Sequence, residues 1–204
     1  SGVIGIGHTR WATHGVPNKV NAHPHMSGDG QLVLVHNGII ENHDSIKKEL
    51  VKRGHYFDSQ TDTEVLIHLI EEVKQQEKIS LFDAVRLALT EVIGAYAIAV
   101  IENNNPNEII IAKKGSPLVV GIGENEFFLA SDATPIIEYT KNVVYLEDSE
   151  IARLSIGEEI ELKTIYNEAK TPYIQELEMN LETIEKGGYD HFMLKEIFEQ
   201  PKSI

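Results

Sequence analysis

Cysteine is absent from the 204 residues. Disulfides, thiolate metal sites and a cysteine nucleophile are therefore excluded from what these residues do by themselves. Positive charge is scarce too: 18 Lys and Arg stand against 32 Asp and Glu, a formal net charge of -14. Nucleic-acid binding needs clustered Lys and Arg at the phosphates, so no nucleic-acid partner is expected. No apolar run approaches the roughly 18 residues of a membrane helix. The opening SGVIGIGHTR has neither the basic start nor the apolar stretch of a secretory signal. A cytoplasmic protein with a dispersed acidic surface is the expectation, with no membrane association.

An apolar fraction of 42% over this length is enough for a proper core in one large domain or two small ones. Polar chemistry is concentrated in residues 8–38, HTRWATHGVPNKVNAHPHMSGDGQLVLVHNG. Arg10, Trp11, Thr13, His14, His23, His25, His36 and Asn37 lie there, with Gly15 and Gly38 where backbone can approach a ligand. The Arg10 guanidinium is a planar fork suited to a carboxylate. An aliphatic strand, Leu32 to Val35, ends at His36-Asn37-Gly38, which reads as a polar turn delivered by a buried strand. An Asn amide and a Gly N–H projecting together provide the two donors of an oxyanion hole, although Asn-Gly by itself is more often simply a turn. Asp62, in SQTDTE, suits either a helix N-cap or the acceptor for an ammonium group; Thr61 and Thr63 are alternative caps, so both roles can hold.

Five histidines (His8, His14, His23, His25 and His36) fall within the same stretch, but neither HExxH nor CxxC occurs, and no metal site is expected. GSPLVVGIG matches neither phosphate-loop nor dinucleotide spacing, so Gly115, Gly121 and Gly123 read as strand turns and no cofactor is expected.

Along the chain, SGVIGIG reads as the end of a strand. Helices are predicted over 41–53, capped by Asn42 or Asp44 and stopped at Gly54, over 64–76 and over 81–92, the last capped by Ser80. After Gly94 come short strands in AYAIAVIE, EIIIAKKG, LVVGIG, EFFLAS and NVVYLE, then a hairpin pivoting on Gly157. TPIIEYT suits a single helical turn. An acidic segment broken at Gly187-Gly188 precedes DHFMLKEIFEQP, predicted as an amphipathic helix stopped by Pro201. The layout is α+β.

HTRWATHG (8–15), AHPH (22–25), HNGIIEN (36–42), RGHYFDSQTDTE (53–64) and GSPLVVG (115–121) resemble the class II glutamine amidotransferase domain of the glucosamine-6-phosphate synthase family. The similarity runs through nearly the whole chain. It implies the N-terminal nucleophile hydrolase fold, a four-layer αββα sandwich, here lacking its N-terminal segment. It implies a glutaminase domain over 1–188, and over 189–204 a terminal helix and linker toward a sugar-isomerase domain. The implied chemistry is hydrolysis of the L-glutamine amide, with ammonia passed to fructose 6-phosphate in a full-length homodimer. Carried over by motif, Arg10 binds the α-carboxylate, Trp11, Thr13 and His14 shape the pocket, and Asp62 with Gly38 takes the α-ammonium. Asn37 and Gly38 form the oxyanion hole, and His23 orders the pocket loop. The family nucleophile is an N-terminal cysteine well before HTRWATHG, and Ser1 is not its equivalent. The expectation is a glutamine socket inactive alone. The alternatives are a glutamine-binding regulatory module and an amidotransferase with another acceptor.

Overall fold

Several strands after residue 94 are apolar on both faces, and the fold gives each face its own partner. The structure is a computed structural model describing residues 3–10, 15–177 and 189–203. Its first half contains β1 (His25–Met26), β2 (Leu32–Ile40), α1 (His43–Lys52), α2 (Asp62–Glu77) and α3 (Leu81–Thr90). Then follow β3 (Gly94–Glu102), β4 (Asn105–Lys114), β5 (Val119–Ile122), β6 (Phe127–Ala130) and β7 (Asn142–Tyr145). The chain closes with β8 (Glu150–Ser155), β9 (Glu161–Thr164), β10 (Ala169–Lys170), β11 (Ile174–Glu176) and α4 (Phe192–Ser203).

A seven-stranded antiparallel sheet has the order β1-β2-β3-β4-β8-β9-β10, and a four-stranded one the order β11-β7-β5-β6. Side-chain alternation along β3 sorts the core. Tyr96, Ile98 and Val100 pack with Leu66, Ile70, Val85 and Leu89 of α2 and α3. Ala99 packs the opposite way, with Ile111, Ala152, Val120 and Val144, joining the two sheets. Val119 and Val143 point out of the smaller sheet onto Ala133 and Ile136. Three interfaces separate four layers, the αββα sandwich expected. The outermost layer is the predicted helical turn, where the N–H groups of Ile137 and Thr140 donate to Ala133 O (3.2 Å) and Ile136 O (3.1 Å).

Thr61 Oγ1 accepts the Glu64 N–H and Ser80 Oγ the Asp83 N–H, so both helices begin at their predicted caps. Asn42 precedes α1 without capping it; its side chain instead accepts from Ile93 N–H (2.9 Å) and donates to Glu91 O (2.8 Å), tying α1 to the approach to β3.

Four further expectations change. β2 does not stop at Val35: residues 36–40 stay in register with 94–98 of β3, so His36-Asn37-Gly38 is strand rather than turn. SGVIGIG forms no strand among the described residues; Ile6 enters the inter-sheet core by side-chain packing instead. Gly121 lies inside β5, where an added Cβ would come within 2.4 Å of Ile136. Helix α4 continues past Pro201 to Ser203, and less than one turn follows the proline, so the missing N–H disturbs only the helix end.

Candidate functional site

The open edge of β2 and the start of α2 meet at a cavity of about 250 Å³, lined by His8, Arg10, His23, His36, Asn37, Gly38, Ile39, Thr61, Asp62 and Thr63. The residues of β2 with odd numbers face β3, as the Glu41 N–H to Ile93 O bond continues to show. The N–H groups of His36, Gly38 and Ile40 consequently leave the opposite edge. Two of these meet side chains: His36 N–H donates to His23 Nδ1 at 3.3 Å and Ile40 N–H to Asp62 Oδ2 at 2.8 Å. Gly38 lies between them. Its φ of 138° and the 2.2 Å that would separate an added Cβ from Ala95 O leave no room for a side chain.

Asp62 is the first residue of α2, and only 3% of it is exposed. It does not cap the helix, because Thr61 does, and its carboxylate is left to close the β2 edge and line the cavity. Arg10 adopts the left-handed region (φ 52°), and its N–H donates to His8 Nδ1 at 2.9 Å. The Arg10 guanidinium donates to Gly15 O (3.3 Å) and Val16 O (3.4 Å), which fixes the fork against its own loop. Asn21 anchors that loop from beneath: Nδ2 donates to Val16 O at 3.0 Å and Oδ1 accepts from Gln60 N–H at 2.9 Å. The arginine loop and the Thr61-Asp62 corner are thereby joined.

Histidines fill the remaining wall. Since His23 Nδ1 accepts a backbone N–H, its proton sits on Nε2, 3.3 Å from Thr63 Oγ1. The assignment that satisfies every donor sends the Thr63 hydroxyl proton to His36 Nδ1 (3.1 Å), with His36 Nε2–H toward Ala95 O (3.5 Å). His8 stacks on His23 with ring centroids 4.4 Å apart. Burial, reinforced by the neighbouring His8, His25, His36 and Arg10 charges, pushes the His23 pKa down to about 3. Burial lowers His8 also, and in His25 it outweighs the Glu64 and Asp62 carboxylates. With their pKa values lowered, His8 and His23 present this wall to the cavity as neutral hydrogen-bonding rings at neutral pH.

Asn37 points away from the helices and is exposed; it lines both this cavity and a neighbouring one of about 660 Å³ between the sheets. The geometry thus brings together Arg10, His23, Asn37, Gly38 and Asp62. Trp11, Thr13 and His14 lie outside the described residues.

Residues 1–178 match the glutamine amidotransferase domain family. The chain belongs to that family. It is 59% identical over all its 204 residues to the glutamine–fructose-6-phosphate aminotransferase (isomerizing) of Bacteroides thetaiotaomicron, covering 33% of that protein. The Pyrococcus horikoshii protein of the same name is 52% identical over 204 residues, with 34% covered. The chain therefore spans about a third of the length of the curated relatives it matches. Among solved structures, the glutamine phosphoribosylpyrophosphate amidotransferase of B. subtilis, complexed with ADP and GMP, aligns with a TM-score of 0.64 at 26% identity. That alignment covers 78% of this chain and 34% of the other.

In this amidotransferase domain, three residues of the site carry little signal in the sequence taken alone. Thr63 bridges His23 and His36, Asn21 couples two loops, and His8 covers His23. The double threonine of TDT is the one readable clue, since only one of the pair is needed as the cap. No helix among the described residues is long and apolar enough to cross a membrane.

Proposed function

We propose that this amidotransferase domain binds L-glutamine in the cavity beside Gly38, and that the longer enzyme transfers the amide nitrogen to fructose 6-phosphate. The observation that carries the reading is the pairing of Arg10 and Asp62 on one small cavity wall. A free amino acid presents one carboxylate and one ammonium, and a fixed guanidinium and a buried carboxylate match them with charge-assisted hydrogen bonds. Asp62 takes the ammonium with help from Gly38, and Arg10 takes the carboxylate. Trp11, Thr13 and His14 complete the pocket, and His23 orders its loop. The side-chain amide then extends toward Asn37.

Attack on that amide carbon converts its carbonyl oxygen to an oxyanion, for which the Asn37 amide and the Gly38 N–H are the donors. The attacking group is the family's N-terminal cysteine, and the 204 residues contain none. Hydrolysis therefore belongs to the longer enzyme, whose nucleophile releases ammonia and is regenerated by water. Residues 1–188 form the glutaminase domain, and 189–204 lead toward a sugar-isomerase domain, in a cytoplasmic homodimer.

Calorimetric titration with L-glutamine tests the reading. Binding is expected for this chain and is expected to weaken strongly in Arg10→Gln, with unchanged circular dichroism. Equal affinity in the two proteins would remove Arg10 from the pocket and overturn the proposal.

A further inference from the structure

A second constellation lies further along α2. His68 and Glu71 are three residues apart, so they leave the same face of the helix. The segment after α1 brings His55 over them. His55 Nδ1 lies 3.1 Å from His68 Nδ1. Glu71 Oε2 lies 3.2 Å from His68 Nδ1 and 3.7 Å from His55 Nδ1. An ion with tetrahedral bonds of about 2.0–2.1 Å spaces its ligand atoms about 3.3 Å apart. These three donors match one face of such a tetrahedron. Among the described residues, it is the one group of His, Asp and Glu donors that converges in this way.

Each donor is held from behind. His55 Nε2 is 2.9 Å from Glu72 Oε2, the carboxylate–imidazole pairing that directs the other ring nitrogen to a metal. Glu71 is pinned by two backbone N–H groups, Gly28 to Oε2 (3.0 Å) and Asp29 to Oε1 (2.9 Å). Phe57 meets the His68 ring edge-on at 4.8 Å. His68 and Glu71 are buried, so two imidazoles and a carboxylate share a space with little water to separate them. A cavity of about 930 Å³, lined by His55, His68 and Glu71, opens beside the group and admits both an ion and a further ligand.

We propose that His55 Nδ1, His68 Nδ1 and Glu71 Oε2 bind one divalent transition ion of the zinc class, with water as fourth ligand. Two nitrogens and a carboxylate oxygen suit such an ion better than magnesium or calcium, which favour all-oxygen shells. The ion replaces the proton held between the two Nδ1 atoms. His68 then carries its proton on Nε2, which faces Glu64 Oε1 at 4.0 Å. The site ties the loop carrying His55 and the turn at Gly28-Asp29 to α2, whose first residues line the glutamine cavity. Its role is structural and does not depend on what that cavity binds.

Cobalt(II) titration of tag-free protein, stripped with chelator, tests the site. One equivalent is expected to give the visible d–d absorption of a tetrahedral N/O site, removed by competing zinc, with a zinc-dependent rise in Tm. His55→Asn, on the half-exposed loop, is expected to abolish both signals while remaining folded by circular dichroism. Glu72→Gln should weaken cobalt binding by about 10–100-fold. His23→Gln, in the other histidine cluster, should leave the titration unchanged. No absorption at one equivalent, an unaltered spectrum in His55→Asn, or loss in His23→Gln would overturn the assignment.

Discussion

Asp62 Oδ2 accepts the backbone N–H of Ile40 at 2.8 Å, joining residues 22 positions apart and making the first residue of α2 part of the boundary of β2. One carboxylate thus serves both the fold and the cavity. Asp62→Ala leaves the Ile40 donor buried without an acceptor, and stability should fall by about 1–3 kcal/mol in chemical denaturation. Asp62→Asn keeps an acceptor oxygen but loses the charge. It should leave stability nearly intact while glutamine affinity drops roughly 10–100-fold, the cost of a charged hydrogen bond. Equal binding by Asp62→Asn and wild type would show that the charge has no part in recognition.

Gly38→Ala should destabilise the domain by at least about 2 kcal/mol, because a residue with a Cβ is strained at this φ and the new atom meets Ala95 O. Urea midpoints for the two proteins provide the measurement. A shift within error would mean that β2 relaxes away from β3 at little cost.

Acid should weaken the fold through His23. Its pKa is about 3 in the folded chain and near 6.5 when unfolded, so between these values the unfolded chain binds more protons. The stabilising contribution is complete above pH 6.5 and is lost as pH falls toward 3. His23→Gln should flatten the stability–pH curve across that window. An unchanged slope would place the acid sensitivity elsewhere.

Tyr96 is fully buried opposite Gly38, and its hydroxyl has no hydrogen-bond partner among the described residues. Burial raises its pKa to about 12. Tyr96→Phe removes the stranded hydroxyl at nearly constant shape, so Tm should hold or rise. A clear fall in Tm would reveal a partner for the hydroxyl.

What was legible in the sequence was mostly local. Thr61 and Ser80 announce their helices because a cap needs only the next three residues, and the runs after Gly94 read as strands because they are short apolar segments set between turn residues. His36-Asn37-Gly38 reads as a turn for the same local reasons, yet 59 residues further on β3 supplies a backbone that keeps it extended. Arg10, Asn37, Gly38 and Asp62 stand out as candidates by their residue chemistry, and the motif resemblance gives each its role. Their meeting in one cavity depends on Asn21 and Thr63, whose partners are distant in sequence. The His55, His68 and Glu71 group was hidden likewise: its His-x-x-Glu half is readable, but the third donor arrives from a loop.

The two side chains that meet β2 on its open side act as borrowed rungs of a ladder, His23 serving His36 and Asp62 serving Ile40. The Gly38 position is the gap between them. A ligand atom accepting from Gly38 would fill that gap, so the substrate would behave as a short-lived length of neighbouring strand. Occupancy of the pocket and hydrogen-exchange protection of the Gly38 amide would then rise and fall together.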